Sequence, residues 1–469
     1  MIETTSSRPS IGAPMIVEMP KGRQPLLTIV VATAVWTIAA AVVFVLGGYQ
    51  AIVSINARVA LQAIAIVVLA VWSFATIRKP DLRPAGGLIA PVLAAAGAYA
   101  TSTVLSQRPR LSIEPGLAGL AFVIGFFVLR EILSDVWLRR RFVVLLTTLT
   151  SAVALLYVVL VAWEWIQWWV TIGRLSFPPL RPSWSSLSFG SPNLVAAFLL
   201  LLGPLASVLL GTIAPPRIAW TLSFTILFAL ILTGARAAWL GLAVGAGFGF
   251  VATFVGRGGL SPIRASRPRL MVVSTVAGVM GLLALPAILY RFAQGGEEIR
   301  FDLWRSAIAI FSEYPIFGSG PGTWVQLKTI ANEPGIPNPI FTHAHSLYFQ
   351  TAAELGAAGL ATSILLAIAV LRLVFRRTSM PAPVARESIA VAVGLVGFAV
   401  EAAFDTLTNT PMVCLLVVAL VAWVDSEAPG PRPRPGRAVQ RIGMAIPVIV
   451  IVGLLVTVPQ VAQMDAAWA

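Results

Sequence analysis

The sequence predicts an all-α protein, a polytopic membrane helical bundle of about 12 to 13 transmembrane helices with one large outer loop that contains short helices. Of its 469 residues, 58% are hydrophobic and only 11% are charged, whereas an ordinary soluble domain carries about 25% charged residues. Long runs such as 26–46 and 143–162 contain no charged residue, and a spanning helix needs about 20 mostly apolar residues.

The apolar runs divide the chain into candidate spans and connecting loops. They predict a segment before the first span at 1–25, a helical region at 26–290, a large loop at 291–344 and a second helical region at 345–461. The candidate spans are 26–47, 59–77, 87–106, 115–133, 142–165, 193–213, 217–233, 237–255, 270–290, 346–374, 386–404, 409–425 and 441–461.

Basic residues cluster in alternate connections between the spans. This alternation is the positive-inside pattern, and it predicts a cytoplasmic N-terminus, a multi-pass protein of the cytoplasmic (inner) membrane and a periplasmic or outer position for the loop 291–344. The net charge of +14 then reflects membrane topology and does not indicate nucleic acid as a partner. The single cysteine, Cys414, excludes an intrachain disulfide and a cysteine metal cluster.

The predicted spans hold few ionisable residues near their middles. Glu164, Glu401 and Asp405 lie near predicted outer ends, and Glu354 lies about two turns into its helix. A proton- or ion-coupled transporter needs acids or histidines at mid-membrane depth. The distribution therefore favours chemistry at the outer surface.

Both histidines, His343 and His345, fall where the large loop ends and the next span begins. Thr342 or Ser346 is a candidate cap for that helix, and the helix dipole at an N-terminus disfavours the imidazolium form. A neutral imidazole there can accept a proton. The alternatives are an interfacial histidine bonded to a backbone carbonyl and a metal ligand, although the sequence supplies no third histidine.

Arginines form the second group of candidate residues. Arg236 follows Gly234 at a predicted outer turn, where the charge rule does not call for a basic residue. Its guanidinium suits two phosphate oxygens, and the alternative is an arginine that snorkels to lipid headgroups. In the large loop, Arg300 and Trp304 share one face of a predicted helix, and Arg305 points elsewhere.

The loop helix is followed by a glycine-rich segment that contains Gly318, Gly320 and Gly322. Backbone N–H groups in such a loop can bind a phosphate. This segment lacks the Lys and Ser/Thr of a P-loop, so a turn without a ligand is the simpler interpretation.

Taken together, these motifs resemble the O-antigen ligase/polymerase superfamily, most specifically over residues 185–360. In that family a large outer loop precedes a helix that begins with His-(Asn/Ser/Gln), followed nine residues later by Gly-x-x-Gly. An Arg-x-x-x-Leu lies at an outer turn, and an arginine lies four residues before a tryptophan, followed by Pro and Gly-x-Gly. The matching residues here are His345, Ser346, Gly356, Gly359, Arg236, Leu240, Arg300, Trp304, Pro315, Gly318 and Gly320, with Gly190, Pro192 and Asn193 opening an earlier span.

The resemblance implies transfer of a glycan from an undecaprenyl-pyrophosphate carrier to an acceptor hydroxyl on a lipid or a glycan, with no metal, nucleotide sugar or other cofactor. It implies that Arg236 and Arg300 neutralise the pyrophosphate and that His345 is the catalytic base. This sequence departs from the family pattern by two additional candidates, His343 for the role of the base and Arg305 for the role of Arg300. Residues expected to bind substrate are Arg305, His343, Trp304, Asn193, Gly318 and Gly320.

Three alternatives to a ligase stay open at this point. A repeat-unit polymerase of the same superfamily would carry the same motifs. A lipid-linked glycan flippase would need a polar path through the bilayer, and a scaffold of an envelope-synthesis complex would need none of the motif residues.

Overall fold

A computed structural model describes residues 54–78, 87–173, 189–256, 298–331 and 341–426, together with Gly48 and residues 452–453. The described helices all belong to one compact unit, Val42–Ala469. The described residues contain no strand, which confirms the all-α prediction. The helices are α1 Ile55–Arg78, α2 Ile89–Val104, α3 Pro109–Ser134, α4 Val136–Ile172, α5 Pro192–Ile213, α6 Pro216–Leu232, α7 Arg236–Gly256, α8 Glu298–Glu313, α9 Trp324–Ala331, α10 Leu347–Arg377, α11 Ala382–Glu401 and α12 Pro411–Ser426.

Among the described residues, six helices are long and apolar enough to cross a membrane, namely α3, α4, α5, α7, α10 and α11. Four shorter apolar helices, in α1, α2, α6 and α12, accompany them. Ten predicted spans therefore correspond to helices, and the chain is a multi-pass membrane protein. The predicted spans 26–47 and 270–290, and 441–461 apart from residues 452–453, lie outside the described residues. Helices α8 and α9 are the short helices predicted for the large loop.

Helix α4 extends well beyond the span predicted at 142–165. Its 37 residues measure about 55 Å at 1.5 Å per residue, more than the roughly 30 Å of a hydrocarbon core. Capping groups set both ends: the Asp135 side chain accepts hydrogen bonds from the N–H groups of Trp137 and Leu138, and Gly173 ends the helix with φ of 68°. The hydropathy of the sequence therefore marked only the apolar middle of this helix.

Helix α5 forms the centre of the bundle. Residues 194–203 are all buried, because α4, α6, α7, α11 and α12 pack around it. A helix that is apolar all round is stable only when it is enclosed. The enclosure fixes the position of its first turn, which contains Asn193.

Glycines allow α11 to contact α7 and α5 through backbone atoms. A Cβ at Gly241 or Gly245 of α7 would overlap the carbonyl oxygens of Gly397 or Val393 in α11, and a Cβ at Gly394 would overlap the Leu201 carbonyl of α5. Small residues let membrane helices approach in this way. The contact places the start of α7 beside the end of α11.

Two ion pairs, one buried and one partly buried, tie the helices together at the opposite end of the bundle. Arg130 of α3 bonds Asp425 of α12 at 2.6 Å, and Arg139 of α4 bonds Glu387 of α11 at 2.6 Å. Because buried charges are stable only when paired, these contacts specify which helices are neighbours there.

We expect Gly241→Val to lower the free energy of unfolding by about 3 kcal/mol, because the new side chain would force α7 away from α11. Thermal unfolding of the detergent-solubilised protein measures this. The control is Gly247→Ala on the same helix, where a Cβ meets nothing within 4 Å and a small gain is expected. Equal unfolding temperatures for the two variants would contradict the assigned close contact.

Candidate functional site

Four helix ends meet around one small polar cavity of about 50 Å³. They are the start of α5, the start of α7, the first turn of α8 and the end of α11 with the turn that follows it. The lining residues are Asn193, Gly234, Ala235, Arg236, Ala237, Arg300, Glu401, Phe404 and Asp405. Segments separated by more than 200 residues in sequence thus contribute to one site.

The two arginines singled out in the sequence line this same cavity. Gly234, with φ of 64°, separates α6 from α7, so that Arg236 is the first residue of α7. Arg300 enters from the first turn of α8. Two guanidinium groups at one cavity provide two charges and up to ten N–H donors, which suits a doubly charged phosphate ligand.

His345 is held by a carboxylate that the sequence analysis did not assign to the site. Its Nδ1 lies 3.2 Å from Oδ1 of Asp405. The other carboxylate oxygen, Oδ2, accepts a hydrogen bond of 2.9 Å from Nδ2 of Asn193, and the N–H of Thr406 donates to Oδ1. Burial alone would raise the pKa of Asp405, but the hydrogen bonds from His345 and Asn193 and the charge of the imidazoles lower it to about 2.

The backbone at His345 adopts a left-handed conformation, with φ of 50°, which is uncommon for a residue other than glycine. Ser346 is at the N-cap position of α10, one of the two positions predicted, but the predicted capping hydrogen bond from its side chain is absent. The Thr342 hydroxyl bonds Nδ1 of His343.

The first turn of α10 is bonded by other groups instead. The Gln350 side chain accepts from the N–H of Ala344, and the carbonyl of Ala402 accepts from the N–H of Leu347. The second bond comes from the end of α11, so it fixes the turn that carries His345 relative to Asp405.

His343 lies beside His345, with their ring centroids 4.4 Å apart. Burial and the neighbouring His345 lower the pKa of His343 to about 4. Its Nε2 lies 3.9 Å from Oδ1 of Asp405, and the ligand atoms of the two histidines and Asp405 all lie within 4.8 Å of one another. This set is spaced so that it could hold a metal ion. The sequence analysis found no third ligand because Asp405 is 60 residues away, and metal independence stays a prediction.

The sequence of this region is also similar to a known family. Residues 221–364 match the O-antigen ligase family. The match confirms the resemblance to the O-antigen ligase-like superfamily that the motifs predicted. A comparison with curated proteins found no match.

The O-antigen ligase match covers Arg236, Arg300, His343 and His345, and the family supports membrane glycan transfer of the ligase or polymerase type. Asn193 and Asp405 lie outside the matched residues, although they bond each other and Asp405 contacts His345. The site therefore depends on segments on both sides of the matched region.

Within the O-antigen ligase region, the glycines expected to bind phosphate serve in packing. The N–H of Gly318 donates to the carbonyl of Tyr314, and the N–H of Gly320 donates to the carbonyl of Glu354. Both glycines are buried and neither lines the cavity. Their backbone donors are thus already used, and the simpler interpretation of this segment as a turn fits the structure.

The glycine segment and α9 surround the carboxyl group of Glu354. The Glu354 carboxylate accepts hydrogen bonds from the N–H of Trp324 at 3.1 Å and from Nε2 of Gln350 at 2.7 Å. Gly356 interrupts α10 with φ of 66°, and the N–H groups of Ala357 and Ala358 bond carbonyls of the loop. Gly356 thus accommodates the loop.

Trp304 and Arg305 lie away from the cavity. The Trp304 ring stacks on Phe349 of α10 at 5.1 Å and contacts Phe301 edge-on, so it packs α8 against α10. Arg305 is exposed and lies 3.6 Å from Asp302. The structure brings Arg300 to the cavity and does not bring Arg305 there.

Lys328 is a further residue that the sequence analysis did not identify. It is buried in α9, lies over the Trp324 ring and donates a hydrogen bond to the carbonyl of Phe341. Phe341 in turn contacts the His345 ring edge-on at 5.2 Å. Lys328 therefore anchors the segment that leads to both histidines.

We expect His343→Gln to reduce the loss of stability in mild acid. An unfolded histidine binds a proton near pH 6.5, whereas folded His343 stays neutral down to about pH 4. The unfolded state therefore binds more protons in this window, and stability falls as the pH is lowered through it.

The measurement is the thermal unfolding temperature of both proteins between pH 6.5 and pH 4. Near neutral pH the imidazole is uncharged in both states, so this effect is absent and the two proteins should differ little there. If the unfolding temperatures of the two proteins fell in parallel throughout the acid range, the proton uptake on unfolding could not be assigned to His343.

Proposed function

We propose that this protein transfers a glycan from an undecaprenyl-pyrophosphate carrier to an acceptor hydroxyl at the outer face of the cytoplasmic membrane. The observation that carries the proposal is that Arg236, Arg300 and Asp405 line one cavity, and that Asp405 in turn contacts His345. These are the groups that a pyrophosphate leaving group and a weak hydroxyl nucleophile require. The O-antigen ligase match supports the same class of reaction.

The arginines would bind the leaving group. As the bond between the anomeric carbon and the phosphate oxygen breaks, negative charge grows on the pyrophosphate. Arg236 and Arg300 approach the cavity from different elements, so together they can contact both phosphates. Stabilisation of charge that develops in the transition state lowers the barrier, and this arrangement would supply it without a metal ion.

His345 would remove the proton from the acceptor. Asp405 contacts Nδ1 of the ring, and an N–H at Nδ1 that donates to this carboxylate leaves a lone pair on Nε2. Nε2 would take the acceptor proton as the hydroxyl oxygen attacks the anomeric carbon. Asp405 would then stabilise the resulting imidazolium, as a carboxylate does in other His–Asp pairs.

The basic clusters of the sequence support the proposed location of the site on the outer side of the membrane. They favour an outer position for the loop 291–344, which contains Arg300 and His343 and leads directly to His345. The ion pairs at the other end of the bundle include Arg130 and Arg139, which lie around the connection between the predicted spans 115–133 and 142–165, one of the basic connections predicted to be cytoplasmic.

We expect His345→Ala to abolish glycan transfer in membranes while the protein is still produced. Arg236→Lys should reduce transfer by about a hundredfold, because an ammonium cannot bind two phosphate oxygens with a planar fork. The matched control is Arg305→Ala, which removes an exposed arginine near the site but outside the cavity, and transfer should stay within about twofold of the wild type. Unchanged transfer by His345→Ala would refute the proposed role of the base.

Purified protein incubated with a carrier-linked glycan and separate acceptors distinguishes the two activities of the superfamily. We propose the ligase, for which a core lipid acceptor gains a single glycan. A ladder of products on a glycan acceptor would identify a polymerase. Transport of the carrier across vesicles without any transfer product would instead support a flippase.

A further inference from the structure

Glu401, the last residue of α11, is a buried carboxyl group in the wall of the cavity. Only 1% of its surface is exposed, and neither carboxyl oxygen has a hydrogen-bond partner among the described residues. Arg236 and Arg300 line the same cavity. A buried polar group without a partner is costly and calls for an explanation, and a ligand of the cavity would provide one.

The neighbouring carboxylate, Asp405, is already fully engaged. Its Oδ1 is within hydrogen-bond distance of His345 and accepts from Thr406, and its Oδ2 accepts from Asn193. These donors favour the charged form and leave Asp405 little capacity for a ligand. Of the two acids at the cavity, Glu401 is therefore the one available to a substrate.

The size of the cavity limits what Glu401 can do when a donor is bound. Arg236, Arg300 and Glu401 all line this cavity of about 50 Å³, so a pyrophosphate that contacts both arginines would lie beside the Glu401 side chain. Two anionic oxygens in direct contact repel each other, particularly beside the charged Asp405, unless a proton lies between them.

We propose that Glu401 is a third contact to the donor pyrophosphate and that, as a neutral carboxylic acid, it donates a hydrogen bond to a phosphate oxygen. This inference rests on the proposed function. Glu401 would complement the charges of Arg236 and Arg300 with a neutral donor. A carboxylic acid kept neutral at a buried site can act in this way, and its hydrogen bond strengthens as charge builds up on the leaving group.

Binding of inorganic pyrophosphate to the full-length protein in lipid nanodiscs, measured by calorimetry, tests the proposal. Glu401→Leu removes the donor and should weaken binding by about tenfold or more. Glu401→Gln keeps an N–H donor of similar shape and should bind within about threefold of the wild type. The control is Glu387→Gln, on the same helix at the end that bonds Arg139, which should leave binding unchanged.

Two results would overturn the inference. Wild-type affinity in Glu401→Leu would mean that the side chain does not contact pyrophosphate. Binding by Glu401→Gln that is tenfold tighter than wild type would mean that Glu401 is an ionised group that repels the ligand.

Arg236→Ala separates these results from failure of the proposed function. If the wild type binds pyrophosphate and Arg236→Ala does not, the cavity is the pyrophosphate site and the Glu401 variants decide the inference alone. If Arg236→Ala binds like the wild type, the proposed function fails at its first step and the inference fails with it.

Discussion

The close contact of α11 with α7 and α5 is the constraint on which the rest of the site depends. The three helices approach through glycines and backbone carbonyls, so the distance between them is set by main-chain atoms and not by adaptable side chains. The start of α5, the start of α7 and the end of α11 therefore meet at one place. That meeting gives Asn193, Arg236, Glu401 and Asp405 a common cavity, which α8 completes with Arg300.

Three carboxyl groups near this end of the bundle, those of Asp405, Glu354 and Glu401, have different surroundings. Asp405 is bonded on both oxygens and holds His345. Glu354 is bonded to Gln350 and to the backbone of Trp324, and it fixes the large loop on α10. Glu401 has no hydrogen-bond partner among the described residues. The carboxyl group of Asp405 thus orients His345, that of Glu354 holds the loop on α10, and that of Glu401, as we propose, binds the ligand. The hydrogen-bond partners of each carboxyl group determine which of these roles it has.

The helices and the two arginines at the cavity could be predicted from the sequence. A long apolar run, and an arginine at a position predicted to be on the outer side, can both be recognised from neighbouring residues alone. It did not reveal Asp405 as the partner of His345, since the contact spans 60 residues and depends on how α10 and α11 pack. Lys328 was missed for a similar reason: a lysine in a polar loop gives no sign that it will be buried. In the glycine segment, the sequence left a phosphate-binding loop and a simple turn open, because it does not show that the N–H groups of Gly318 and Gly320 bond the carbonyls of Tyr314 and Glu354.

The hydrogen bonds between the large loop and α10 bear on how substrates reach the site. Ala357 and Ala358 donate to the carbonyls of Pro315 and Ile316, and Ser319 and Gly320 donate to carbonyls of α10. These contacts lie up to eleven residues beyond the start of α10. Lifting α8 together with this segment would break four backbone hydrogen bonds, each with a net contribution of about 0.5–1.5 kcal/mol. The segment that follows α8 is therefore held on α10, and any substrate that entered by displacing α8 with this segment would have to break these bonds.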